Sequence, residues 1–261
     1  MKAILELRDL VVAFDGFRVI DELDWYVDEG ELRFLIGPNG AGKTTLLDVI
    51  TGLTKPVSGR VRFETREIGG KAEHEIVRLG IGRTFQNPTV FESLTVADNV
   101  DLAASFRVPT RKLLRRRRGM PEALVEILGM VGLDILADAP AAVLSHGQRQ
   151  WLEIAMLLAQ QPRVLLLDEP VAGMTGIERE TTGRLLQRLA EQFTVVVVEH
   201  DMEFLRRFAR RVTVLHEGRL LSEGSVEEIQ ADPQVLEVYL GRAARRAAEP
   251  ASAQAPRPEA V

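Results

Sequence analysis

Gly37-Pro38-Asn39-Gly40-Ala41-Gly42-Lys43-Thr44 fits the spacing G-x-x-x-x-G-K-[ST], and its surroundings constrain the fold as much as the motif does. A short apolar segment, Leu32 to Ile36, precedes it and a helical pattern follows, which is the opening of a strand-turn-helix unit. Glycines let the backbone wrap closely enough for successive N–H groups to face phosphate oxygens, and the positive end of the next helix adds to that field. Lys43 is placed to bridge the β- and γ-phosphates of a nucleoside triphosphate and the Thr44 hydroxyl to ligate Mg²⁺, with Thr45 completing the cradle.

A cradle of this kind needs a sheet behind it. VLLLD at Val164 to Asp168 and TVVVV at Thr194 to Val198 are continuous aliphatic runs, as expected of strands covered on both faces. Asp168 ends the first run, where ligands of α/β sheets gather and where its carboxylate can hold the magnesium through water. Glu169 follows at once. A helix-capping or solvated carboxylate is the plainer reading of Glu169, but beside a nucleotide it suits a general base for attacking water, a role worth about 10² to 10⁴ in rate.

The rest of the chain fills in an α/β P-loop NTPase fold with a mixed sheet core. Alternation at Leu23, Trp25 and Val27, with a turn at Asp15-Gly16, predicts an N-terminal antiparallel β subdomain. Helical periodicity over about residues 88–161 predicts an inserted α-helical subdomain. A strand pair turns at Glu217-Gly218, and Ser225-Val226-Glu227-Glu228 matches a capping box that starts a late helix. One domain is expected over residues 1–242, and the Ala/Pro/Arg-rich residues 243–261 read as a disordered tail.

Composition narrows the function. The chain has 261 residues, 46% hydrophobic and 27% charged, enough for one sizeable core. Having no cysteine, it can form neither disulfides nor thiolate metal sites. Charges at Lys2, Glu6, Arg8 and Asp9 break any secretory signal, and the longest apolar run, Ile154 to Ala159, is far short of the roughly 20 residues a membrane helix needs. A cytoplasmic protein that reaches the membrane through partners is expected. The net charge of −5 argues against a broad nucleic-acid face. The run Arg115 to Arg118 suits anionic lipid headgroups or a solvated face equally.

P-loops serve many enzymes, and no N-K-x-D guanine-reading motif is present. LSHGQ at Leu144 to Gln148 resembles the signature of the ATP-binding-cassette (ABC) family, with His146 where glycine is usual, and the resemblance runs through about Arg242. Ser145 beside His146 could also suggest a hydrolase pair, but adjacent residues rarely face each other and the sequence sets no orienting acid beside them. The resemblance implies instead that Ser145, Gly147 and Gln148 meet the ATP held by an opposing subunit. It also implies that Gln86, in RTFQNP, reaches the magnesium and attacking water, that His200, in VVVVEHD, is the switch histidine assisting Glu169, and that Phe14, in VVAFDG, stacks on adenine. The family's aspartate a few residues after the Asp168-Glu169 pair is missing from Val171 to Gly176.

FQNPTVFESLTVADNV, VEHDMEF and DPQVLEVYLG resemble ATPases of branched-chain amino acid and amide importers; LLDVITG, LSHGQRQWLEIAMLLAQ and DEPVAGMT are closer to the urea-importer type. The resemblance implies ATP and Mg²⁺ as cofactors, a second ABC ATPase subunit that is a related paralogue or this chain itself, two membrane-spanning permeases and, indirectly, a periplasmic solute-binding protein. It places the protein at the cytoplasmic face of the inner membrane. An ABC ATPase of DNA repair or translation, a module using ATP only as glue, and an exporter are the competing readings; no nucleic-acid partner is expected.

Overall fold

The computed structural model describes residues 2–84, 89–106 and 120–239. The hairpin expected at Asp15-Gly16 joins β1 (Ala3–Phe14) to β2 (Phe17–Asp28), with Phe14 opposite Phe17. Both turn residues take positive φ, 49° at Asp15 and 83° at Gly16, the two-residue geometry that matches strand twist. β1 also pairs with β4 (Ser58–Phe63), which pairs with β5 (Arg66–Glu67), giving an antiparallel sheet in the order β2-β1-β4-β5. Leu23, Trp25 and Val27 alternate inward as their pattern predicts.

The second sheet runs β10-β9-β3-β8-β7-β6: β3 (Leu32–Ile36), β6 (Ile81–Arg83), β7 (Val164–Asp168), β8 (Thr194–Val198) and β9 (Arg211–His216) are parallel, and β10 (Arg219–Gly224) returns antiparallel. Their apolar runs are explained by two cores. Phe34, Leu165 and Val195 face one core, which the inserted helices share; Leu35, Leu166 and Val196 face the other, shared with the antiparallel sheet.

α1 (Lys43–Thr51) follows β3, and α2 (Glu73–Leu79) precedes β6. The insert contains α3 (Val96–Ser105), α4 (Glu122–Val131) and α5 (His146–Ala159), with short 3₁₀ turns at Asp134–Leu136 and Ala141–Val143. α6 (Gly176–Leu189) follows β7 and α7 (Met202–Phe208) follows β8. α8 (Val226–Ala231) carries the expected capping box, Ser225 with Glu228. No helix among the described residues is long and apolar enough to cross a membrane. Gln86, the run Arg115 to Arg118, and residues 240–261 lie outside the described residues.

Candidate active site

The cradle is shaped by contacts remote in sequence. Gly37 sits so close to the end of β9 that a Cβ there would overlap the carbonyl oxygen of Leu215. Gly42 takes the left-handed conformation at the N-cap of α1, with φ 99°. The β9–β10 turn braces the loop: Gly218 N–H donates to the Ala41 carbonyl at 3.1 Å, and the Gly218 carbonyl accepts from Asp21 N–H at 3.1 Å. Asn39 to Thr45, with Val19 and Glu169, line a cavity of about 450 Å³. Lys43 is buried and donates through Nζ to the carbonyls of Gly37 at 2.7 Å and Pro38 at 3.1 Å.

Phe14 and Phe17 are exposed at the tip of the β1–β2 hairpin, and that hairpin carries Val19 into the cavity wall. An exposed ring there would bury apolar area against a flat base.

Asp168 closes β7 and is almost wholly buried. Its Oδ2 accepts from Arg83 Nη2 at 3.1 Å, while Arg83 Nη1 reaches Asp48 at 2.5 Å. Its Oδ1 is buried without a hydrogen-bond partner among the described residues. Burial pushes the Asp168 carboxyl above the ordinary carboxylate range, against the pull of Arg83. An orphaned acceptor next to a phosphate cradle suits a water on a hard cation. Among the described residues no three His, Asp or Glu side chains form a cation cage; Thr44 in the cavity lining and the orphaned Asp168 Oδ1 are side-chain oxygens that could share a cation with phosphate.

Glu169 has φ 50°, a left-handed conformation uncommon outside glycine, and its N–H is held by the Val198 carbonyl at 2.9 Å. Its Oε1 lies 3.3 Å from Nδ1 of His200. β7 and β8 run side by side with Asp168 opposite Val198, which explains how residues 31 apart converge.

The adjoining Glu199 was not anticipated. It is 2% exposed, accepts from the N–H groups of His200 (3.2 Å) and Val171 (3.4 Å), and burial pushes its carboxyl up to about 7. Arg83 was missed as well. The hint of Glu199 in the sequence was a charge directly after an aliphatic run; Arg83, in Ile81-Gly82-Arg83, had none.

Ser145, Gly147 and Gln148 gather at the start of α5, away from the cavity lining. Ser145 caps α5: its Oγ accepts from Gln148 N–H at 3.2 Å, and Gln148 Oε1 accepts from Ser145 N–H at 2.9 Å. The expectation that no acid stands by Ser145 is corrected, because Ser145 Oγ donates to Glu178 Oε1 at 3.0 Å. The fold brings α6 alongside α5, a juxtaposition across 33 residues that the sequence does not display. No Ser-His-acid relay results, since His146 Nε2 lies 3.1 Å from the Ala172 carbonyl. Where the expected aspartate is missing, Thr175 caps α6 together with Glu178.

Comparison with known proteins agrees with this geometry. The ABC transporter family matches residues 20–172, and the family described as branched-chain amino acid ATP-binding cassette transporter matches residues 219–245. The chain is 34% identical over 255 residues to the high-affinity branched-chain amino acid transport ATP-binding protein BraF of Pseudomonas aeruginosa, covering 93% of this chain and 99% of that one. It is 34% identical over 251 residues to LivG of Salmonella typhimurium, covering 92% and 98%. The crystal structure of the ADP conformation of MJ1267, an ATP-binding cassette of an ABC transporter, superposes with TM-score 0.81 at 30% identity, covering 92% of this chain and all of that one. The dimeric post-hydrolysis cassette MJ0796, bound to ADP and Pi, gives TM-score 0.70 at 28% identity, covering 85% and 98%. From the P-loop through the paired acids to the capped α5, this chain belongs to the ABC transporter family and is one of its ATP-hydrolysing subunits.

Proposed function

We propose that this chain is the motor of an importer, working at the cytoplasmic membrane face through two permease subunits and paired with a second cassette. The observation that carries the assignment is Glu169 lining the phosphate cavity with His200 at 3.3 Å. ATP phosphates enter the cradle of Gly37 to Thr45, Lys43 exchanges its two loop carbonyls for phosphate oxygens, and Phe14 receives the base. Thr44 and Asp168, with Gln86, would hold Mg²⁺, which neutralises charge on the transferring phosphoryl group. Glu169 takes the proton of the attacking water as the new bond to the γ-phosphorus forms and the bond to the ADP oxygen breaks, with His200 orienting the γ-phosphate.

Ser145, with the N–H groups at the start of α5, meets the γ-phosphate held by the partner cassette, so binding closes the pair and hydrolysis reopens it. The dimeric neighbour bound to ADP and Pi supports this arrangement. Phosphate release by Glu169→Gln is the test: ATP should still bind while turnover is lost, and an unchanged rate would refute the assignment.

For the solute we propose urea, on the segments LLDVITG, LSHGQRQWLEIAMLLAQ and DEPVAGMT. The names of BraF and LivG favour a second reading, branched-chain amino acids. Uptake of labelled urea and labelled leucine by cells lacking this gene separates them: the solute whose uptake disappears is the one carried.

A further inference from the structure

Ser145 Oγ carries one proton, and in this structure that proton is given to a carboxylate. Glu178 Oε1 accepts it at 3.0 Å, while Oε2 is fixed by Thr175 through its N–H at 2.9 Å and its hydroxyl at 2.8 Å. The backbone N–H of Thr175, then its hydroxyl, hold the Glu178 carboxyl below the ordinary range, so the group is anionic at neutral pH. The carboxylate also lies against Gly147: a Cβ on that glycine would stand 2.6 Å from Oε1. A fixed negative charge therefore sits against both Ser145 and Gly147 at the start of α5, the end of the helix whose field favours anions.

We infer that Glu178 is a placeholder for the γ-phosphate: it occupies the Ser145 hydroxyl in the open subunit and must be displaced before the partner's ATP can be gripped. The inference rests on the proposed sandwich, in which Ser145 faces the opposing nucleotide. One hydroxyl cannot donate to the carboxylate and to phosphate together. Two anions on the same serine repel, and the cost is greatest when water is squeezed out between the subunits. Glu178 thus raises the ATP concentration needed for closure and hastens reopening once the γ-phosphate has gone. It is a positioning residue, since it acts through Ser145.

The consequence is opposite to that of a structural cap. Glu178→Gln keeps an oxygen for Ser145 or Thr175 but removes the charge. In the Glu169→Gln background, where hydrolysis cannot blur the equilibrium, light scattering against ATP concentration reads dimer formation directly. Glu178→Gln should lower the half-maximal ATP concentration several-fold, and Glu178→Asp, which keeps the charge, should remain near the parent. In the hydrolysing protein Glu178→Gln should lower the KM for ATP without raising kcat. An unchanged or higher half-maximal concentration, with a dimer still forming, overturns the placeholder and leaves the sandwich intact. If no variant dimerises at millimolar ATP, either alone or mixed with the paralogous cassette, the sandwich is refuted and the inference falls with it.

Discussion

Nδ1 of His200 lies 3.3 Å from Oε1 of Glu169, and the two residues leave neighbouring parallel strands at the same level. The fold itself orients the two groups toward each other, as a base and the group that steadies it need to be. His200→Ala should lower kcat about 10²-fold while the KM for ATP changes little, as for an interaction made chiefly in the transition state. Adding His200→Ala to Glu169→Gln should cost less than the product of the separate losses, because the residues act as a unit. Steady-state phosphate release for the two single variants and the double variant checks both statements.

Arg83 joins Asp48 on α1 to Asp168 on β7, with its side chain nearly buried. Arg83→Ala would leave two carboxylates facing each other with no cation between them, a loss of about 3 to 5 kcal/mol for a buried pair. In a chain of this size that is a fall in Tm of roughly 6 to 20 °C. Because Mg²⁺ would supply positive charge at the same carboxylate, Mg²⁺ with ATP should stabilise the variant more than the parent. Thermal melts with and without nucleotide and metal test this.

The two proteins' melts would also probe what the sequence hid. The strands at Val164 and Thr194 and the cradle were legible, because a continuous aliphatic run can be buried on both faces only in a covered sheet. β6 was not: three residues, Ile81–Arg83, carry no periodicity, so the ion pair they deliver to Asp168 stayed invisible. LSHGQ was legible as a signature, whereas its role as the cap of α5 and the approach of Glu178 depend on how the chain folds and how α5 and α6 pack.

Glu199 gives the fold a measurable pH dependence. Its buried carboxyl is raised to about 7, so its neutral form is favoured in the folded state; that contribution is complete below the unfolded value and is lost as pH rises through 7. The loss is of the order of 3 kcal/mol. Glu199→Gln cannot ionise, so its stability relative to the parent should climb between pH 5 and pH 8. Urea denaturation at both ends of that range measures the difference; parallel curves would show that Glu199 does not titrate there.

Gly37 has no room for a methyl group against Leu215. Gly37→Ala should push the loop off β9 and cost about 1 to 3 kcal/mol of stability. The larger effect should be on ATP affinity, since the displaced carbonyl is one that anchors Lys43. Nucleotide titration beside a denaturation curve separates the two losses.

The brace formed by Gly218 has a consequence for biosynthesis. The turn that clasps Ala41 and Asp21 is translated almost 180 residues after the loop it supports. While the chain is still emerging from the ribosome the segment around Lys43 has its glycines but not its backing, and contacts so distant along the polymer close slowly. Competence to hold a triphosphate should therefore appear abruptly, only after residues 211–224 have left the exit tunnel, so that unfinished chains do not sequester nucleotide.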